Sequence, residues 1–359
     1  MGGRGRVATN RSIFAGLQSF VGLFARGAPH GAGSSVIALL SLGLLVAPAS
    51  AQEPVRIGIG FGLAFLPAYI CEDLKLVEKY GRQAHLDLKA SYQRFLGARP
   101  MQAAVGANAI DVAPFGIAPF LSAWEKAKDT PQQILAVSGL TTLSPVLLTN
   151  RPEVRTLADF RTSDRIAIPS ASAPQLYLLQ MQSEKVFGQY DKLRNQIVVL
   201  PHPDAVADLL SGNGRVAGYF SSAPFTEFAL ADGRVHKVLS ASDVIDGKTS
   251  FLMLGATKAY VTAHPKAPEA VAKAMDEAAR LIHDDPHRAA EIFLSHEPLR
   301  TLDTAALAVI LADIKDEFGS TVHGVAAFAE FMNRHGELKE PPQSWKEIVV
   351  PALLDAPNS

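Results

Sequence analysis

A single cysteine, Cys71, stands in 359 residues, so the chain cannot close an intramolecular disulfide. It falls within the apolar rhythm of Leu66, Tyr69, Ile70 and Leu74 and reads as a buried structural thiol. Catalytic and cofactor signatures are missing as well. There is no G-x-S-x-G elbow, no H-E-x-x-H, no C-x-x-C pair and no Walker loop. Past residue 51 no stretch is apolar for the roughly eighteen residues that a membrane-crossing helix needs, so none is expected there. Repeats, low-complexity tracts and a Ser/Gly linker are also missing, which argues against a string of sequential domains.

The first fifty residues lack Asp and Glu but hold Arg4, Arg6, Arg11 and Arg26. The short apolar run SVIALLSLGLLV follows from Ser35 to Val46, then APASA, with small residues at Ala49 and Ala51. A basic start, a short apolar stretch and an A-x-A end spell a secretory signal over 1–51, cut between Ala51 and Gln52. Cys71 lies far past that cut and is no lipid attachment point. Without 1–51, Lys+Arg falls from 34 to 30 against 35 Asp+Glu, a net charge near −5. That argues against nucleic acid or an anionic membrane surface as partner.

What remains alternates between strand-like and helix-like runs, the pattern of βαβ units and a largely parallel sheet. The strand candidates are VRIGIG, HLDLKASY, AIDVAPF, QILAVSG, SPVLLTN, RIAIPS, IVVLP, VAGYFSS, HKVLS and FLMLGATK. Past Lys266 the pattern is helical, including one continuous run over DTAALAVILADIKDEFG. Ten strands are too many for one small sheet. The chain is therefore expected to build one lobe, cross to a second near TTLSPVLLTN, and return near SFLMLGATK. Lobe 1 would comprise 52–143 and 254–359, and lobe 2 would comprise 144–253.

One local syntax recurs five times: a strand ends in small residues and a proline stands where the next helix begins. The stretches are GFGLAFLP (Gly60–Pro67), RFLGARP (Arg94–Pro100), PFGIAP (Pro114–Pro119), PSASAP (Pro169–Pro174) and FSSAP (Phe220–Pro224). Proline suits the first helical turn, where its missing N–H would be unpaired anyway. Small residues before it let a ligand approach the backbone, and free amides at the positive end of the helix dipole attract anions and polar acceptors. For any one stretch, plain capping by Ser172 or Ser222 explains the residues as well. Together they predict a shared crevice, because strand C-terminal ends of a parallel sheet converge. The loops carry little charge; Arg94 and Arg99 are the exceptions. Phenylalanines are plentiful among them, which suits binding better than catalysis.

The opening glycines, Gly58, Gly60 and Gly62, do not make the dinucleotide fingerprint: the spacing is G-x-G-x-G and position 63 is Leu. Pro286 separates His283 from His287, which predicts a surface loop rather than a metal pair. His202 and Asp204, beside Pro203 at a helix start, read as capping residues rather than as an acid–base dyad. No catalytic residue, metal or cofactor is expected.

RIGIGFGLAFLPAYICEDLKLVEKYG, then QRFLGARPMQAAVGANAIDVAPFGIAPFLSAWEK, PHPDAVADLLSGNGRVAGYFSSAPF and the tail FMNRHGELKEPPQSWKEIV resemble, in order, substrate-binding proteins of nitrate/sulfonate/taurine-type ABC importers. The resemblance implies the type II periplasmic binding fold: two α/β lobes, each a mostly parallel sheet flanked by helices, joined by two crossing strands. It implies a periplasmic, monomeric, non-enzymatic protein that captures a small anionic or polar organic ligand (a sulfonate, taurine, nitrate, a carboxylate or a pyrimidine-like compound) and meets a membrane permease and its ATPase. Ligand contacts carried over are Phe61, Phe65, Gly97, Ala98, Gly116 and Ile117 from one lobe, and Ser170, Ala171, Ser172, Ser222 and Phe225 from the other. The acidic or His-rich cluster of the nitrate branch and the cysteine-rich motif of pyrimidine-synthase relatives are lacking. An exported enzyme on this fold, or a sensor feeding a membrane kinase, are the alternative readings.

Overall fold

The computed structural model describes residues 52–96, 98–298 and 302–354; the expected signal segment and Gly97 lie outside them. Five strands form the first sheet: β1 (Glu53–Ile59), β2 (Leu88–Arg94), β3 (Val112–Phe115), β4 (Ile134–Thr141) and, much later, β10 (Leu252–Thr257). The second holds β5 (Val146–Thr149), β6 (Ile166–Ile168), β7 (Ile197–Val199), β8 (Gly218–Ser221) and β9 (His236–Ser240). Every strand read from the sequence is present, with some ends trimmed: HLD of the second run precedes β2, which starts at Leu88.

Sheet order is β2-β1-β3-β10-β4 and β7-β6-β8-β5-β9. β1 runs parallel to β2 and β3, while β10 is antiparallel to β3 and β4. In the second sheet β6 runs parallel to β7 and β8, and β5 is antiparallel to β8 and β9. Each sheet thus has one reversed strand, and that strand follows a crossing. The chain leaves the first sheet after Thr141 and returns to it at Leu252. Both sheets lie within one compact unit, Ser50–Ser359.

The helices are α1 (Leu66–Leu74), α2 (Leu76–Gln83), α3 (Ala98–Gly106), α4 (Ile117–Lys126), α5 (Pro174–Phe187), α6 (His202–Ser211), α7 (Phe225–Leu230), α8 (Ala241–Val244), α9 (Lys258–Ala263), α10 (Ala267–Asp284), α11 (Pro286–His296), α12 (Thr304–Asp313) and α13 (Val325–Arg334). The run DTAALAVILADIKDEFG is not one helix: α12 stops at Asp313 and Lys315–Glu317 is a 3-10 turn. Glu317 explains the break. Its carboxylate accepts from the Thr142 and Ser144 hydroxyls and its carbonyl accepts from the Thr142 amide at 2.7 Å, which ties this turn to the first crossing. Those partners lie far away in sequence and override local helical periodicity.

The buried faces are strongly apolar. Val55, Ile57 and Ile59 of β1 are fully buried, and α10 buries Ala and Met side chains along one face, against α2. Cys71 lies buried with its Sγ 3.8 Å from Met275 Sδ.

Candidate functional site

The prolines of the five strand–helix turns stand at helix starts, as expected. Pro67, Pro119 and Pro174 lie in the first turn of α1, α4 and α5, Pro100 in that of α3, and Pro224 is the residue before α7. The parallel registers bring the turns together within each sheet. Ile57 stands beside Val112, so the turns after β1 and β3 emerge at one edge. Ala167 stands beside Tyr219, so those after β6 and β8 do the same.

The two edges meet. Gly116, N-cap of α4 on the first sheet, packs against Pro174, first residue of α5 on the second; a Cβ on Gly116 would lie 3.7 Å from the proline ring. α13 spans the same junction, packing on α4 while its Phe328 ring lies 6.0 Å from that of Tyr177 on α5. Just beyond, Glu184 of α5 accepts from Arg334 and His335, each at 2.8 Å, and the Arg334 guanidinium above all holds its carboxyl below the usual range. Next to Pro174, Gln175 is fully buried and neither atom of its amide has a hydrogen-bond partner among the described residues.

On the first-sheet side the opening glycines have separate causes. A Cβ on Gly60 would lie 2.5 Å from the Phe65 ring, so only glycine admits that ring. Gly62 has φ 103°, a backbone that side chains strain. Its amide, expected to await an anion, is taken: it donates to Glu297 Oε1 at 2.7 Å. Tyr69 O–H also donates to that oxygen, and burial pushes the phenol pKa up. Arg94 is engaged by α1 and the end of α11. Its guanidinium lies over the Tyr69 ring, 5.1 Å from the centroid, and bonds to Glu72 and His296. His296 stacks on Tyr69 at 4.7 Å and bonds to Asp73 at 2.8 Å.

On the second-sheet side neither serine caps a helix. Ser170 and Ser172 pair through their hydroxyls at 3.2 Å, and the N-cap of α5 is Ala173, without a side-chain cap bond. His202 and Asp204 do not cap either; the N-cap of α6 is Pro201. The imidazole turns inward instead. Nδ1 bonds to the Tyr219 hydroxyl, Nε2 lies 3.1 Å from Ser222 Oγ, and the ring stacks on Phe225 at 5.2 Å. A serine beside an oriented imidazole is the geometry of a nucleophile and its base. Burial, however, holds the His202 pKa at about 4, too low for effective proton abstraction near neutral pH. The cluster is better suited to a neutral hydrogen-bonding wall than to proton transfer.

Of the other candidate residues, Phe61 is half-exposed and Phe65 lies over Gly60. Ala98 begins α3 at the surface, and Ile117 is buried in the core, leaving its backbone as the part available to a ligand. Ala171 lines a cavity of about 450 Å³ beside α5 with Ile168, Leu179, Tyr190 and Arg194. Phe225 lines an apolar groove with Pro203, Val206, Phe228 and Leu302. His283 and His287 are exposed, but they sit in α10 and α11 rather than in a loop. Among the described residues no group of His, Cys, Asp and Glu has the arrangement of a metal site.

The profile of the NMT1-like family matches residues 187–294. No curated protein sequence matches the chain. Solved structures do. The periplasmic aliphatic sulphonate binding protein SsuA of Escherichia coli superposes with a TM-score of 0.64 at 18% identity, over 84% of this chain and 98% of that one. The alkanesulfonate-binding protein SsuA of Xanthomonas axonopodis pv. citri, bound to MOPS, gives 0.62 at 18%, over 84% and 99%. The periplasmic nitrate-binding protein NrtA of Synechocystis PCC 6803 gives 0.51 at 13%, over 71% and 69%. The fold is that of the periplasmic binding proteins, two α/β lobes around two mixed sheets.

Proposed function

We propose that the protein is the extracytoplasmic solute-binding component of an ABC importer. It captures a small anionic or polar organic ligand between lobe 1, residues 52–143 and 254–359, and lobe 2, residues 144–253. The observation that carries this is the packing of Gly116 against Pro174, which sets two strand–helix turns from different sheets face to face. The similar solved proteins, named for binding sulfonates and nitrate, support the reading. Gln175, with its unspent amide beside that junction, adds hydrogen-bonding capacity for a polar ligand.

In this reading the ligand contacts come from Phe61, Phe65, Gly97, Ala98, Gly116 and Ile117 across from Ser170, Ala171, Ser172, Ser222 and Phe225. A ligand that touches both lobes favours the closed form by its differential affinity, and a membrane permease with its ATPase recognises that form. The protein acts as a monomer in the periplasm and turns nothing over.

A thermal-shift panel of sulfonates, carboxylates, nitrate and pyrimidines tests this. A true ligand at 100 times its dissociation constant adds about 2.7 kcal/mol to folding stability. Silence across the panel, or chemical conversion of a bound compound, would falsify the proposal.

A further inference from the structure

The turn after β1 holds a carboxylate where an anion was expected. Glu297, at the end of α11, reaches back to a residue 235 positions earlier and accepts the Gly62 amide at 2.7 Å. The Tyr69 hydroxyl donates to the same oxygen and also lies 2.9 Å from the Gly60 carbonyl, so the carboxylate is held from two sides. Both bonds use Oε1. Among the described residues Oε2 has no hydrogen-bond partner and no Lys or Arg forms an ion pair with Glu297. The nearby cations are engaged elsewhere: Arg94 with Glu72 and His296, and His296 with Asp73.

Its place in the fold matters. β1 neighbours β3, so the Gly62 turn leaves the same edge of the first sheet as the Gly116 turn that meets lobe 2. The Glu297 carboxylate therefore stands at this edge of lobe 1, with Oε2 unpaired among the described residues.

We propose that Glu297 determines ligand selectivity, accepting an ammonium or N–H group of the ligand on Oε2 and keeping anionic groups away from the β1 turn. This rests on the solute-binding reading above. The ligand is then bipolar: a donor or cationic end on Glu297, and an acceptor or anionic end on the Gln175 amide groups at the start of α5 in lobe 2.

The test uses matched probes that differ by one amine, taurine against ethanesulfonate and β-alanine against propionate, within a wider panel of zwitterions and their deaminated counterparts. Wild type, Glu297→Gln and Tyr69→Phe are titrated by calorimetry, each with its own unliganded melting temperature as reference. Wild type is expected to favour the amine-bearing member by at least about tenfold, the scale of one charge-assisted hydrogen bond. Glu297→Gln reduces that preference to about threefold or less. Tyr69→Phe keeps its sign but weakens it, because one anchor of the carboxylate is lost. Equal binding of paired members by wild type overturns the inference, and so does a preference that Glu297→Gln leaves intact. Either result still shows a protein that binds solutes. Silence of the wild type toward the whole panel removes both readings.

Discussion

Gly116 and Pro174 stand next to each other across the two sheets: a methyl group on the glycine would lie 3.7 Å from both Cδ and Cγ of the proline ring. That is ordinary van der Waals contact, and Gly116 has an extended backbone, φ −66° and ψ 154°, that any residue adopts. Gly116→Ala should therefore fold and bind as wild type, within about 0.5 kcal/mol. Gly116→Phe should fold equally well but hold the lobes apart. Small-angle scattering in saturating ligand would then show no compaction, where wild type compacts. A Phe variant that still closes would remove the junction from the mechanism.

His202 makes folding stability sensitive to mild acid. The folded imidazole stays neutral down to about pH 4 because burial disfavours its charged form. The unfolded imidazole takes its proton near 6.5. Between those values the unfolded state binds more protons, so stability falls as pH drops through the window and levels off below it, by at most about 3 kcal/mol. Urea midpoints for wild type and His202→Gln at about pH 7 and about pH 5 measure this. The variant should lose less stability than wild type; equal losses would show that other groups carry the acid response.

Gln175 should behave in opposite ways with and without ligand. Its amide atoms are buried without partners among the described residues, a state that costs on the order of 1–3 kcal/mol relative to an apolar isostere. Gln175→Leu should raise the melting temperature of the unliganded protein and reduce the shift caused by ligand. A variant destabilised in both conditions would show that the amide is a packing element only.

Gly139 in β4 leaves no room for a side chain. A Cβ there would come within 2.2 Å of the Thr321 carbonyl oxygen, and the Gly139 amide donates to the Ser320 carbonyl at 2.6 Å. Backbone cannot retreat as a flexible side chain would. Gly139→Ala should cost at least about 1–3 kcal/mol, the usual overpacking range, read from the urea midpoint. A neutral result would mean that residues 320–321 are free to shift away from β4.

Much of the architecture is written locally. The ten strands follow from short β-branched and apolar runs, and the five helix starts follow from small residues before a proline. Such signals need only neighbouring residues, which is why HKVLS matches β9 residue for residue. The end of α12 at Asp313 was not legible, because the reason for it, Glu317 bonded to Thr142 and Ser144, comes from a distant part of the chain. The roles of Ser222 and His202 escaped for the same reason. Each looks like a capping residue by sequence, and only the folding of β8 beside α6 sets them 3.1 Å apart.

The sequence alone determined the kind of molecule: the periods of its apolar residues and the spacing of its glycines and prolines are enough to dictate α/β layers with open turns at strand ends. Which of those turns face each other, and which already hold a charge, was decided by tertiary structure. Glu297 on the Gly62 amide is the plainest case. A carboxylate reaches that position only when α11 packs against α1, and no local pattern encodes the contact of two segments so far apart in the chain.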